Sequence, residues 1–408
     1  MPPPSDMAAE PAPNAPLDTT VVPIIAAVAF CHLLNDLMQS LIPAIYPLLK
    51  DNLALTFGQI GLITLVFQGT ASILQPLVGL YTDRRPQPYA LALGMGCTLV
   101  GLVLLANSSS FGTVLASVAL IGLGSSIFHP ESSRIARLAA GMRPGFAQSV
   151  FQVGGNTGSA LGPLAAALIV LPRGQTSIEW FAGVALLGMA VLTLVGRWFT
   201  AEGLRRAKAG RKRASLHNLS KRRVKLAVGV LIALTFSKFV YLASFSSYYT
   251  FYLIEHFGVP VGRAQIYLFI FLAAVAIGTI IGGPIGDKIG RKRVIWMSIL
   301  GVFPLSVLLP HVGLQATIVI SAMAGMILAS AFPAIIVYAQ ELLPQKTGMV
   351  AGLFFGLAFG MGAIGAAALG QIADAKSITF VFQLCAWLPL IGIAAAFLPN
   401  LRAPKPVV

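Results

Sequence analysis

Charge is the first thing this sequence has little of. Asp, Glu, Lys and Arg together make up 10% of its 408 residues, where a soluble domain carries about a quarter. So thin a supply cannot coat a water-soluble chain of this length. Acidic residues are the scarcer kind, 13 against 28 Lys and Arg, for a net charge of +15. In a soluble protein that imbalance would point to nucleic acid. Here the basic residues fall in short loops between apolar runs, as they do on the cytoplasmic side of membrane proteins, so no nucleic-acid partner is expected. Cysteine is also scarce. Cys31, Cys97 and Cys385 each sit inside an apolar run, show no metal spacing and need no disulfide. His129-Pro130-Glu131 is not followed by the second histidine of a zinc-protease helix. With no phosphate loop and no nucleophile–base pair either, neither an enzyme nor a cofactor or metal is expected. Residues 1–20, rich in Pro and Ala, lack the basic start of a signal peptide. They read as a disordered cytoplasmic tail.

What is present is apolar sequence: 57% hydrophobic residues and a mean hydropathy of +0.84. Twelve segments are long enough to cross a bilayer, near 22–49, 56–82, 87–107, 111–137, 144–171, 178–200, 224–254, 264–287, 292–310, 313–342, 347–372 and 377–398. The expected fold is an all-α polytopic membrane protein with two six-helix halves, 21–200 and 224–400. A basic linker, 201–223, joins them, and a cytoplasmic tail, 401–408, closes the chain. Arg84 and Arg85, 134–143, the linker, 288–293 and Lys346 lie on one side, and the opposite loops hold few charges. The positive-inside rule makes the first side cytoplasmic, with both termini there. The chain is expected in a membrane, in contact with lipid, and a monomer suffices.

The halves repeat. Gly79-Leu-Tyr-Thr-Asp83-Arg84-Arg85 follows span two, and Gly283-Pro-Ile-Gly-Asp287-Lys-Ile-Gly-Arg291 follows span eight, roughly 200 positions later. Charge pairs at these helix ends are expected to gate the halves. Gly158 and Gly162 in span five match Gly362 and Ala366 in span eleven, and Pro163 with these glycines permits close approach and bending.

These loops resemble those of the major facilitator superfamily. Six further strings resemble the bacterial fosmidomycin resistance proteins: His32-Leu-Leu-Asn-Asp36, 126–134, Phe151-Gln-Val-Gly-Gly155, Ser237-Lys238-Phe-Val-Tyr241, 246–252 and 338–344. The resemblance implies the major facilitator fold and an inner-membrane efflux transporter, with an anionic phosphonate as type substrate. Val118 departs from the pattern. It stands where many proton-coupled exporters carry a span-four arginine, so that arginine's role has no counterpart at this position.

Polar residues inside the spans are the candidate machinery, because an ionisable side chain at membrane depth is functional by default. His32, Asn35, Asp36 and Gln39 share one helical face of span one. Asp36 is the expected proton carrier, with His32, His129 and Glu131 as partners or substitutes. Arg134, three residues after Glu131, reads as a rim contact or gate. In span seven, Lys238 is the expected partner of an anionic substrate, with Tyr241 and Tyr248 on its face. Asn35, Gln39, Gln152 and Asn156 could supply hydrogen bonds. A resting ion pair between Lys238 and Asp36 across the halves would let substrate and proton compete. The reading is proton-coupled export of small anions by alternating access. An importer of an organic anion or sugar phosphate on the same fold, and a membrane-embedded sensor or enzyme, stay open.

Overall fold

The computed structural model describes residues 20–55, 57–208 and 219–401. Residues 1–19 and 402–408 of the expected tails and the centre of the expected linker, 209–218, lie outside them. No strand occurs among the described residues. Twelve helical spans follow one another among the described residues. The first six are Val22–Ala44, Phe57–Arg84, Ala90–Ala106, Phe111–Ala139, Pro144–Ala165 and Trp180–Lys208. The second six are Lys221–Phe257, Val261–Ile289, Arg291–Leu300 with Phe303–Leu308, Leu314–Ala329 with Ala331–Leu342, Thr347–Ala375, and Ile378–Cys385 with Leu388–Phe397. Among the described residues, ten stretches are long and apolar enough to cross a membrane by those measures alone. The others are the 17-residue span three and span five, which a π-helical turn at Ala166–Val170 extends toward Arg173. That turn begins three residues after Pro163, a residue that removes a backbone donor from the ladder.

Helix ends do not stop where hydropathy does. Span seven runs for 37 residues from Lys221, with the Ser220 hydroxyl accepting from the Arg223 backbone N–H. Span six continues to Lys208. A helix satisfies its own backbone and needs no apolar surroundings to continue; only its side chains need lipid. Leu65, Ile73, Leu93 and Ile364 are exposed on the outside of the bundle, which is the face lipid would cover.

Within the first half, Gly154, Gly158 and Gly162 bring span five onto span one. A Cβ at Gly158 would strike the Leu33 carbonyl, and one at Gly162 the Ser40 hydroxyl. Between the halves the same device appears twice. Gly79 of span two meets the backbone of Gly348 in span eleven, and Gly283 of span eight meets that of Gly145 in span five. These contacts lie at the basic-loop end of the bundle, which is therefore shut.

Candidate functional site

The repeated loops supply a pair of latches. The Asp83 carboxylate accepts from the backbone N–H groups of Gly348 and Met349 at 3.0 and 2.8 Å. Asp287 accepts from those of Gly145 and Phe146 at 2.9 and 3.0 Å. Each carboxylate thus caps the first turn of a helix in the opposite half, where unpaired N–H groups and the helix dipole favour negative charge. The expectation was of side-chain charge pairs, and it fits one loop only. Arg291 binds Asp287 at 2.9 Å and approaches Glu341 at 3.4 Å. Arg84 and Arg85 are exposed, and among the described residues neither forms an ion pair. Arg134 is held inside the first half: it forms a two-pronged pair with Glu131 and lies 5.0 Å over the Phe199 ring of span six. A third cross-half link joins Gln340 to Ser133 at 3.2 Å, and Ser133 donates to Gln148.

Deeper in the bundle, span one presents Asp36 at 8% exposure. Its two oxygens lie 3.3 Å from His32 Nε2 and 3.5 Å from His129 Nε2. Asn35 donates to it at 3.0 Å, and Ser159 of span five at 3.5 Å. One polar side-chain atom from each of His32, Asp36 and His129 lies within 4.8 Å of the other two. The His32 ring stacks on Phe151 at 4.1 Å. The His129 ring packs against Phe355 and Phe359 of span eleven, at 5.3 and 5.2 Å. Beside Asp36 a cavity of about 190 Å³ is lined by Gln39, Gln68, Ser159 and Phe359. It lies on the side of Asp36 away from the basic loops. The Gln39 amide nitrogen is buried there without a partner. Gln152 donates to Asn156 at 3.3 Å, and Asn156 reaches across to Thr279 of span eight at 3.4 Å.

Lys238 is 3% exposed. Its Nζ lies 5.1 Å from the Phe239 ring and 4.9 Å from the Phe332 ring. The expected pair with Asp36 is absent: among the described residues no carboxylate comes within 4 Å of Lys238. Aromatic rings stand in the way. Phe332 packs on Phe355 at 5.3 Å, and Phe355 packs on His129. Tyr241 and Tyr248 of span seven are committed within their own half. Tyr241 accepts from Ser306 at 2.9 Å, and Tyr248 donates to the Ala366 carbonyl at 2.6 Å.

The comparisons with known proteins agree with this architecture. The sequence profile of the Major Facilitator Superfamily matches residues 28–366 and 253–408. The chain belongs to that superfamily. This facilitator is 57% identical over 380 residues to the fosmidomycin resistance protein of Escherichia coli K12, covering 93% of each chain. It is 44% identical over 384 residues to YfnC, an uncharacterised MFS-type transporter of Bacillus subtilis 168, covering 94% of each. Among solved structures it is similar to the facilitator FucP in its outward conformation, with a TM-score of 0.72 at 17% identity, covering 94% of this chain and all of that one. The family makes this chain a multi-pass membrane transporter of small molecules.

Sequence reasoning missed several of the facilitator's contact residues. Gly348 and Gly145 carry no chemistry of their own; only the tertiary fold shows that their N–H groups face the aspartates. Phe355, Phe359 and Ser159 are ordinary residues of apolar helices. His129 was legible through the Phe128-His-Pro130 string, but its meeting with span one was not.

Proposed function

We propose that this transporter exports small anionic compounds, phosphonates of the fosmidomycin kind first, from the bacterial cytoplasm across the inner membrane in exchange for protons. It works as a monomer with both termini in the cytoplasm. The observation that carries the reading is Lys238, a cation buried without a carboxylate within 4 Å among the described residues. Such a charge is stable only if it loses its proton or finds an anion. The name of the Escherichia coli relative, 57% identical over 93% of the chain, supports a phosphonate as that anion.

With the basic loops in the cytoplasm, the shut end is the cytoplasmic one and the cavity beside Asp36 faces outward. Protons reach Asp36 from that side. For cargo to enter, Asp83 and Asp287 must release the ends of spans eleven and five while the halves rock. The anion reaches Lys238 once Phe332 and Phe355 swing aside, and the polar side chains of Asn35, Gln39, Gln152 and Asn156 orient it. Tyr241 and Tyr248 shape the wall behind Lys238. Gly158, Gly162 and Pro163 keep spans one and five moving as a unit. The membrane potential helps, since moving one negative charge outward gains roughly 2.3 kcal/mol per 100 mV.

The test is transport of radiolabelled fosmidomycin into inside-out vesicles from cells that overproduce the protein. Accumulation should follow an imposed acid-inside pH difference and collapse with a proton ionophore. Accumulation by intact cells instead would make the protein an importer.

A further inference from the structure

His32, Asp36 and His129 meet in a way that dictates where their protons sit. Each imidazole turns one nitrogen to a backbone carbonyl: His32 Nδ1 lies 2.8 Å from that of Phe151, and His129 Nδ1 lies 3.1 Å from that of Ser125, with the Ser125 hydroxyl at 3.3 Å free to accept from it as well. A carbonyl oxygen only accepts, so both Nδ1 atoms carry hydrogen. In a neutral imidazole the other nitrogen is then a bare lone pair. Those two Nε2 atoms face opposite oxygens of one carboxylate, at 3.3 and 3.5 Å. Both are buried with no hydrogen-bond partner. A lone pair against a carboxylate oxygen is repulsive, and burial removes the water that would relieve it. With no proton on the facing atoms the site is unfavourable twice. One proton on either Nε2 creates an imidazolium–carboxylate contact and leaves the cluster neutral, but the other ring still presents its lone pair to an oxygen. A second proton satisfies both.

We infer that His32, Asp36 and His129 form a two-proton site, in which the two imidazoles accept the protons and the Asp36 carboxylate holds them. The inference rests on the proton-coupled reading above and deepens it, by naming the accepting atoms and their number. Each step makes one Nε2–H bond with a proton from outside water and breaks it toward the cytoplasm; nothing is oxidised or reduced. The other groups facing the cluster carry no charge: Asn35 on span one, Ser125 on span four, Phe151 and Ser159 on span five, Phe355 and Phe359 on span eleven. Cys31 turns away to the Gly188 carbonyl. Glu131 is engaged by Arg134, and Phe332 and Phe355 screen Lys238. The contact with span eleven gives the protons leverage, because an imidazolium is drawn to aromatic faces more strongly than a neutral ring. Loading the site therefore tightens the halves against each other.

The experiment is nitrogen NMR of the full-length protein in nanodiscs, labelled with ¹⁵N-histidine and free of substrate. The chain has five histidines, and spectra of His32→Gln and His129→Gln assign the two signals. At alkaline pH both rings should show a protonated Nδ1 and a bare Nε2. On acidification they should protonate in two separate steps, as sites sharing one partner do, and in Asp36→Asn the rings should titrate independently. Either ring found with hydrogen on Nε2 at alkaline pH, or staying neutral to about pH 4, far below the ordinary histidine range, overturns the proposal. So does a spectrum that changes on adding EDTA, which would assign the site to a bound metal ion. The wild-type tautomers answer the question even if a variant fails to fold. In proteoliposomes the reversal potential should give two protons per cycle for wild type and one for His129→Gln, and an unchanged ratio overturns the proposal. NMR as expected, with no proton-driven flux of fosmidomycin, would leave the two-proton site standing and remove the export reading instead.

Discussion

Asp83 holds Gly348, a residue of the opposite half, through the backbone N–H at 3.0 Å. Asp287 holds Gly145 in the same way from the other side, at 2.9 Å. The two latches are related by the internal repeat, so the shut end is closed by two copies of one device. A hydrogen bond to a charged group contributes about 1.5–3 kcal/mol. Asp83→Asn should weaken one latch by that order and shift the protein toward the state open at the basic-loop end. Accessibility of a cysteine at Ser133, beneath the closed end, measures the shift. No gain in labelling would mean that the latch does not govern the equilibrium.

Gly79 gives a steric counterpart. A Cβ there would overlap the Gly348 backbone, which cannot give way as a flexible side chain can. Gly79→Leu should fold, because the clash exists only when the halves close at this end. Its transport rate should fall at least tenfold, with the protein trapped open on the basic-loop side. Distance measurements between spin labels on spans two and eleven would report it, and a wild-type distance distribution would contradict the prediction.

Lys238→Ala should weaken binding of an anionic phosphonate by about 2–5 kcal/mol, the range for truncating one partner of a buried charge pair. Lys238→Arg keeps the charge and should lose less. A neutral phosphonate ester should bind wild type and Lys238→Ala alike. Calorimetry on the purified variants compares the two ligands, and equal losses would make the lysine a support of the fold.

Asp36→Asn keeps the shape and removes the shared carboxylate. This variant should bind fosmidomycin yet fail to concentrate it when a pH difference is imposed. Glu131→Gln tests the sequence-level alternative. Because Arg134 already holds that carboxylate, the substitution should lower stability, leaving pH-driven transport in the protein that folds. Full coupling in Asp36→Asn would refute the assignment.

Topology has its own check. Cysteines at Ser109 and Lys376 should react with impermeant thiol reagents added to intact cells, and a cysteine at Lys288 should not. The reverse pattern would invert the orientation.

The sequence by itself determined the class, the twelve spans, the two halves and the residues worth watching. Membrane insertion leaves that record because lipid cannot hydrogen-bond: spans must be long, helical and apolar, so the few polar side chains stand out. His32 and Asp36 were legible as neighbours because helical spacing is local. The tertiary structure alone decided which polar groups meet. It brought His129 onto Asp36 from span four, gave the aspartates backbone N–H partners in the opposite half, and put Phe332 and Phe355 between Lys238 and the acid expected to pair with it. Those choices depend on how helices pack across the halves, and packing between apolar surfaces is set by shape. Glycines at Gly79, Gly348, Gly145 and Gly283 let backbones touch, and no periodicity within one helix says which other helix will fill the gap.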